Sequence, residues 1–278
     1  MFEIGKYNKL PISRLTSFGA YLDGGAGTEI LIPARFLPEI VEPEQEMDVF
    51  VFTDSEDRLI ATTEKPFIQA EQFGFLQVKD VNPRVGAFLD WGLMAKDLLC
   101  PFNEQKVRMS AGNIYLVYAY VDHNTGRVVA SSKIEKFLGN IFPEYRQHQR
   151  VEALVYERTE IGYKVIVDNQ HAGMLYVDEL IEHPEIGSTI QAFVKKVRDD
   201  GKIDITLKDT NGQRAHNVAD RLVELMKKNG GLTGLTDKST PEEIEAALGC
   251  SKKDFKKAVG FLYKSRRIEL REDGMKLI

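Results

Sequence analysis

Up to about residue 207 the apolar residues come in short runs with β-type alternation, and no long stretch repeats at helical spacing. The runs are rich in Val, Ile, Phe and Tyr, as in Val49-Phe50-Val51-Phe52 and Val117-Tyr118-Ala119-Tyr120-Val121. Gly- and Asn/Asp-containing turns separate them, such as Asn124-Thr125-Gly126 and Asp199-Asp200-Gly201. From residue 215 the period changes. Val218, Ala219, Leu222, Val223, Leu225 and Met226 fall at helical spacing, and Gly230-Gly231 ends that helix. Thr240-Pro241-Glu242-Glu243 opens a second helix, with the Thr and Glu three apart as a capping box requires. Ser251 caps a third, from Lys252 to about Arg266, with Phe255, Val259, Leu262 and Tyr263 as its expected core stripe. The last residues read as a hairpin turning at Asp273-Gly274.

The β-rich part repeats itself. Phe18-Gly19-Ala20-Tyr21-Leu22-Asp23 returns as Val85-Gly86-Ala87-Phe88-Leu89-Asp90, 67 residues on. A weaker third copy is Ile161-Gly162-Tyr163-Lys164-Val165-Ile166-Val167-Asp168. Each copy is followed by an apolar triplet, a strong strand, a turn and a last strand. The triplets are Leu31-Ile32-Pro33, Leu99-Cys100-Pro101 and Met174-Leu175-Tyr176. Five short strands with a conformationally free glycine fit a small closed barrel. The expected architecture is mainly β with a C-terminal α+β domain: three tandem five-stranded OB-type barrels over 1–65, 66–138 and 139–212, then a winged helix over 213–278.

Charge changes the picture only when read by region. The net charge of the whole chain is −5. Residues 213–278 hold 14 Lys+Arg against 10 Asp+Glu, whereas residues 1–64 hold 5 against 12. Phosphates sense fields over a Debye length of about 8 Å, so local sign matters more than the total. The basic end is the better place for phosphate contact. At about 100° per residue, Lys253, Lys256, Lys257 and Lys264 share one broad face of the third helix, with Arg266 and Arg267 at its end. A solvated lysine face is the plain alternative.

The order of the repeated elements resembles the RNA-binding S-one-type repeat of the large ribosomal small-subunit protein, an OB fold, over residues 1 to about 210. Two further segments carry a closer resemblance. Val85-Gly86-Ala87-Phe88-Leu89-Asp90-Trp91-Gly92-Leu93, followed by Lys96-Asp97-Leu98-Leu99, is the first. Ser251-Lys252-Lys253-Asp254-Phe255-Lys256-Lys257-Ala258-Val259-Gly260-Phe261-Leu262-Tyr263-Lys264 is the second. With them the whole chain is similar to the conserved virulence factor B (CvfB-like) proteins of bacteria. That resemblance implies an RNA-binding regulator of gene expression. In the S-one pattern, two residues flanking Gly-Ala, the end of the triplet and a basic residue opening the last strand lie on the binding face. Carried over, these are Phe18, Tyr21, Pro33 and Arg58, then Val85, Phe88, Pro101 and Arg127, then Ile161, Lys164, Tyr176 and Lys202. Trp91 lies near the second set, and Lys195 and Lys196 near the third. Bases would stack on the aromatics and phosphates would meet the cations. Strand alternation leaves barrel core as the other place for Tyr21 and Phe88, and junction packing for Trp91. No repeat carries the full set, so the third barrel and the winged helix are favoured for phosphate contact. The acidic first barrel is then a spacer or a protein-facing module.

Catalytic signals are missing from the sequence. There is no P-loop, dinucleotide fingerprint or Gly-x-Ser-x-Gly. No His or Cys pair has metal-ligand spacing, and Gly24-Gly25-Ala26-Gly27 lies between short strands rather than before a helix. The expectation is a non-enzyme with no cofactor and no metal. With two cysteines 150 positions apart, no signal peptide and no membrane-length apolar run, it is expected in the cytoplasm. Single-stranded RNA is the expected partner. A DNA-binding regulator led by the winged helix and a protein-binding adaptor are the alternatives.

Overall fold

The computed structural model describes residues 2–139, 142–180, 182–208, 212–271 and 274–278, without the side chains of 179 and 212–217. Three closed five-stranded barrels occupy the first three quarters of the chain. The first holds β1 (Tyr7–Thr16), β2 (Gly19–Asp23), β3 (Glu29–Pro33), β4 (Glu46–Thr53) and β5 (Leu59–Thr62). The second holds β6 (Gln72–Asn82), β7 (Gly86–Leu93), β8 (Lys96–Pro101), β9 (Ile114–Val121) and β10 (Val128–Ser131). The third holds β11 (Arg150–Arg158), β12 (Gly162–Val167), β13 (His171–Tyr176), β14 (Thr189–Val197) and β15 (Ile203–Thr206). Each runs first–second–third–fifth–fourth, and a parallel pairing of the third strand with the fifth closes the cylinder.

Two devices recur in every barrel, and both follow from the repeat. The long first strand slips by one residue against the second, between Ile12 and Arg14, Val78 and Asp80, and Val155 and Glu157. The extra residue bends the strand and increases its twist, which lets so few strands close. The second strand opens on Gly19, Gly86 or Gly162, at φ of 153°, 147° and 159°. A Cβ there would collide with the carbonyl of Ile32, Cys100 or Leu175 on the neighbouring strand. The glycine is therefore a requirement of strand approach as well as of φ.

The barrels are welded together. Phe50 and Phe52 of β4 are buried in the same cluster as the second barrel's Leu76, Leu89 and Trp91. The backbone continues the weld, with Ala70 N–H donating to Gly5 at 2.7 Å. Between the second and third barrels, Phe73, Ile134 and Ile166 are buried against one another. Asn169 spans that junction. Its Oδ1 accepts from Phe73 N–H at 2.9 Å and its Nδ2 donates to the Glu71 carbonyl at 2.6 Å. Asp168 and Asn169 both sit at positive φ, which their short polar side chains tolerate, and this tight turn aims Asn169 across the junction.

The C-terminal part is α1 (Gly212–Lys228), β16 (Leu232–Thr233), α2 (Pro241–Leu248), α3 (Lys252–Lys264), β17 (Ile268–Arg271) and β18 (Gly274–Leu277). The helix signals are realised. Thr240 and Glu243 form the reciprocal capping box, at 3.2 and 2.8 Å, and Gly249 ends α2 in the left-handed conformation. Ser251 accepts from Asp254 N–H at the start of α3. The hairpin is present, and its expected turn residue Asp273 lies outside the described residues. A third strand, β16, joins it in the order β16–β18–β17. A two-residue strand is too short to show period-2 alternation, so its sequence carries no strand signal. The core is Phe255, Ala258 and Leu262 against Leu222, Met226 and Ile244. Tyr263, expected in the core stripe, is 55% exposed, and Ala258 takes the buried position. At about 100° per residue Tyr263 falls about 100° round α3 from the buried Leu262, which carries it off the packed side.

Candidate nucleic-acid interface

The bulge and the glycine place the same three positions on one face of every barrel. Beyond each slip, β1, β6 and β11 pair Arg14 with Tyr21, Asp80 with Phe88 and Glu157 with Lys164. The residue before each glycine is exposed although apolar: Phe18 at 56%, Val85 at 44% and Ile161 at 57%. An exposed apolar group thus recurs at the same position in all three barrels, and only in the first is it aromatic.

Chemistry differs between the three copies. In the first barrel Phe18 meets Tyr21 edge-on at 6.3 Å, and the Arg14 guanidinium lies 3.8 Å over the Tyr21 ring. Arg14 was not picked out from the sequence, because only the bulge in β1 sets it opposite Tyr21. Arg14 is also bound to Glu29 at 2.8 Å, and Arg58 to Asp54 at 2.7 Å and Glu56 at 3.0 Å. The bond from Arg14 holds the Glu29 carboxyl below the usual carboxylate range, and both cations are occupied by acids. Pro33 and Pro101 each end a strand and lead into a short 3-10 turn.

In the second barrel Phe88 is half-buried, and Arg127 is ion-paired with Asp57 of the first barrel. Arg127 thus bridges two barrels. Trp91 is a correction. It is 1% exposed, its indole N–H donates to the Ile68 carbonyl at 2.7 Å, and its ring meets Phe50 and Phe52. It has no face left for a base. Strand alternation puts it with Leu89 and Leu93 on the inner side of β7, where the first barrel covers it.

The third barrel concentrates cations. Lys164 is paired with Glu157 at 2.7 Å and Lys202 with Asp200 at 3.1 Å. Tyr176 is half-buried, its hydroxyl accepts from Arg198, and the Lys195 ammonium lies 6.0 Å from its ring centroid. β14 slips by one residue between Val194 and Lys196, so the consecutive Lys195 and Lys196 are both exposed instead of alternating in and out. Arg198, held to Asp204, is a second cation the sequence reading passed over.

On α3, Lys253, Lys256, Lys257 and Lys264 are exposed on the side away from Phe255, Ala258 and Leu262, and Arg266 and Arg267 follow, also exposed. Gly260 lies one turn from both Lys256 and Lys264, with open space where its Cβ would be. Among the described residues no group of His, Cys, Asp or Glu is placed to hold a metal, and no helix is long and apolar enough to cross a membrane.

Residues 4–64 match the S1 domain and residues 220–277 match the CvfB-like winged helix domain. Together with the three closed barrels, these define a tandem-barrel protein whose matched domains are nucleic-acid-binding and regulatory types rather than enzymatic ones. Its similarity to the conserved virulence factor B proteins is shown both by domain and along the chain. The uncharacterized protein YitL of Bacillus subtilis (strain 168) is 28% identical over 272 residues, covering 95% of this chain and 90% of YitL. Conserved virulence factor B of Staphylococcus aureus (strain USA300) is 25% identical over 237 residues, covering 83% of this chain and 78% of the relative. Among solved structures, a multidomain protein with nucleic acid binding domains from Streptococcus pneumoniae TIGR4 aligns over 99% of this chain and 98% of its own. That pair has 24% identity and a TM-score of 0.41.

Proposed function

We propose that the protein binds single-stranded RNA in the cytoplasm and regulates gene expression after transcription, with no catalytic step of its own. The observation that carries this reading is the exposed lysine face of α3 together with the side-by-side Lys195 and Lys196 of the third barrel. Lysines are flexible point charges that favour phosphate contact over the bidentate base readout at which arginine is better, which suits a backbone-tracking binder. Tyr176 and Tyr21, each with a cation against its ring, and Phe88 are half-buried aromatics at the positions where bases would stack, and each base stacked on an aromatic contributes about 1–3 kcal/mol. The contacts centre on the third barrel and the winged helix. The first barrel, lying in the stretch 1–64 with 5 basic and 12 acidic residues, contributes least to phosphate binding.

The test is a salt-titrated binding assay on single-stranded RNA, single-stranded DNA and duplex DNA. The expected result is a preference for single-stranded RNA, with log affinity falling linearly in log salt. Reversing the charge of Lys253, Lys256 and Lys257 is expected to flatten that line by roughly 2, since each phosphate contact on a single strand contributes about 0.7. Preference for duplex DNA would replace this reading with a DNA-binding regulator. Absence of binding to all three at low salt would leave the protein-binding adaptor.

A further inference from the structure

Between the second and third barrels lies a groove of about 620 Å³, and the walls come from both. The second barrel supplies Lys106 and Glu135. The third supplies Glu157, Lys164, Arg198 and Lys202, with Tyr156 also lining the groove. Lys164 and Lys202 are the third-barrel copies of the positions that face ligand in the S-one pattern. The groove is therefore continuous with that barrel's binding face, and it extends the face onto a neighbouring domain.

Lys106 is bound to Glu135 within the second barrel, and Lys164 to Glu157 at 2.7 Å within the third. The two pairs sense each other. Glu135 is held below the usual carboxylate range by its hydrogen bond from Lys106, with a further contribution from Lys164 across the junction. Four cations thus line one cleft that neither barrel forms alone, each held by a carboxylate: Lys106 by Glu135, Lys164 by Glu157, Arg198 by Asp204 and Lys202 by Asp200.

We propose that this junction groove is a second contact for the single strand. A phosphodiester segment leaving the third barrel's face enters the groove and exchanges phosphate oxygens for Glu135 and Glu157 as partners of Lys106 and Lys164. The site is self-masked: the four paired carboxylates hold the cations until a polyanion displaces them. It rests on the reading of the protein as a single-strand binder. A polyanion fits it better than a mononucleotide, because its four cations are spread over two domains.

The experiment uses the full chain and fluorescent single-stranded RNA at several salt concentrations. Lys106→Glu is expected to weaken binding about fivefold and to lower the salt slope by about 0.7–1. Glu135→Gln and Glu157→Gln are expected to strengthen binding, a sign that a purely structural ion pair would not give. The double variant Lys106→Glu/Glu135→Lys keeps both charges in the groove and is expected to restore affinity, which separates lost contact from lost folding. Inorganic phosphate is expected to compete no better than chloride at equal ionic strength. Unchanged affinity for Lys106→Glu, or weaker binding by the glutamine variants, would overturn the groove. Selective competition by phosphate would make it a small-anion site and overturn the single-strand assignment. If the groove variants are silent while the α3 charge reversals weaken binding, only the groove falls. If the α3 reversals are silent too, the RNA reading falls with it.

Discussion

The ring of Phe50, in the first barrel, meets the indole of Trp91, in the second, edge-on at 5.4 Å with an interplanar angle of 87°. That contact joins two barrels through a single aromatic core, with Phe52 completing it at 6.3 Å. Trp91→Ala would open a cavity under both rings and leave the Ile68 carbonyl without its indole donor. The expected cost is about 3–5 kcal/mol, read from urea denaturation. RNA affinity of the folded protein is expected to be unchanged. Lost affinity at full stability would make Trp91 a stacking residue after all.

The recurring glycine gives a second prediction. Gly162→Ala forces a Cβ into the Leu175 carbonyl and strains φ as well, so it is expected to destabilise by well over about 1 kcal/mol. Gly25→Ala meets nothing within 4 Å and carries the cost of positive φ alone. Thermal melts of the two variants should separate clearly, with Gly162→Ala the lower.

The two cysteines should differ in reactivity. Burial pushes the Cys100 thiol up to about 12, so at pH 8 only about one molecule in ten thousand carries the thiolate that attacks an alkylating agent. Cys250 is only half-buried and its thiol is raised less. Iodoacetamide on the native protein is expected to label Cys250 alone, by peptide mass mapping, and Cys100 only after denaturation. Equal labelling of both would show that the second barrel opens readily.

Gly260 sits in the interior of α3 on its lysine side, where a glycine weakens the helix relative to alanine by about 1 kcal/mol. Gly260→Ala is expected to stabilise the winged helix by about that amount, since the space is open. The same methyl group projects into the face proposed to meet phosphate, so RNA affinity is expected to fall or hold, never to rise. Scanning calorimetry and the salt titration together check both parts.

Much of the architecture was written locally. The Gly-Ala-aromatic-Leu-Asp repeat, the Thr240–Glu243 capping box and the helical period after residue 215 each act within a few residues, so the chain alone carries them. The face occupied by Phe18, Val85 and Ile161 was legible too, because the glycine beside each has only one place in the barrel. What the sequence could not carry was whatever depends on register and on neighbours. A one-residue slip in β1 sets Arg14 beside Tyr21, and another in β14 turns Lys195 and Lys196 outward together. Alternation read in one dimension misses both, since a bulge breaks the alternation on which that reading depends.

By itself, the sequence determined three barrels, a winged helix, an acidic front and a lysine-rich third helix, because strand and helix periods, turn residues and local charge are properties of neighbouring residues. Only the tertiary structure decided which of the exposed-looking side chains are free to meet a ligand. It buried Trp91 beneath the first barrel and tied Arg127 to Asp57. It also gathered Lys106, Lys164, Arg198 and Lys202 from two barrels into one groove. The physical reason is that burial and ion pairing are set by contacts between residues tens of positions apart, and those contacts exist only once the barrels have closed and docked.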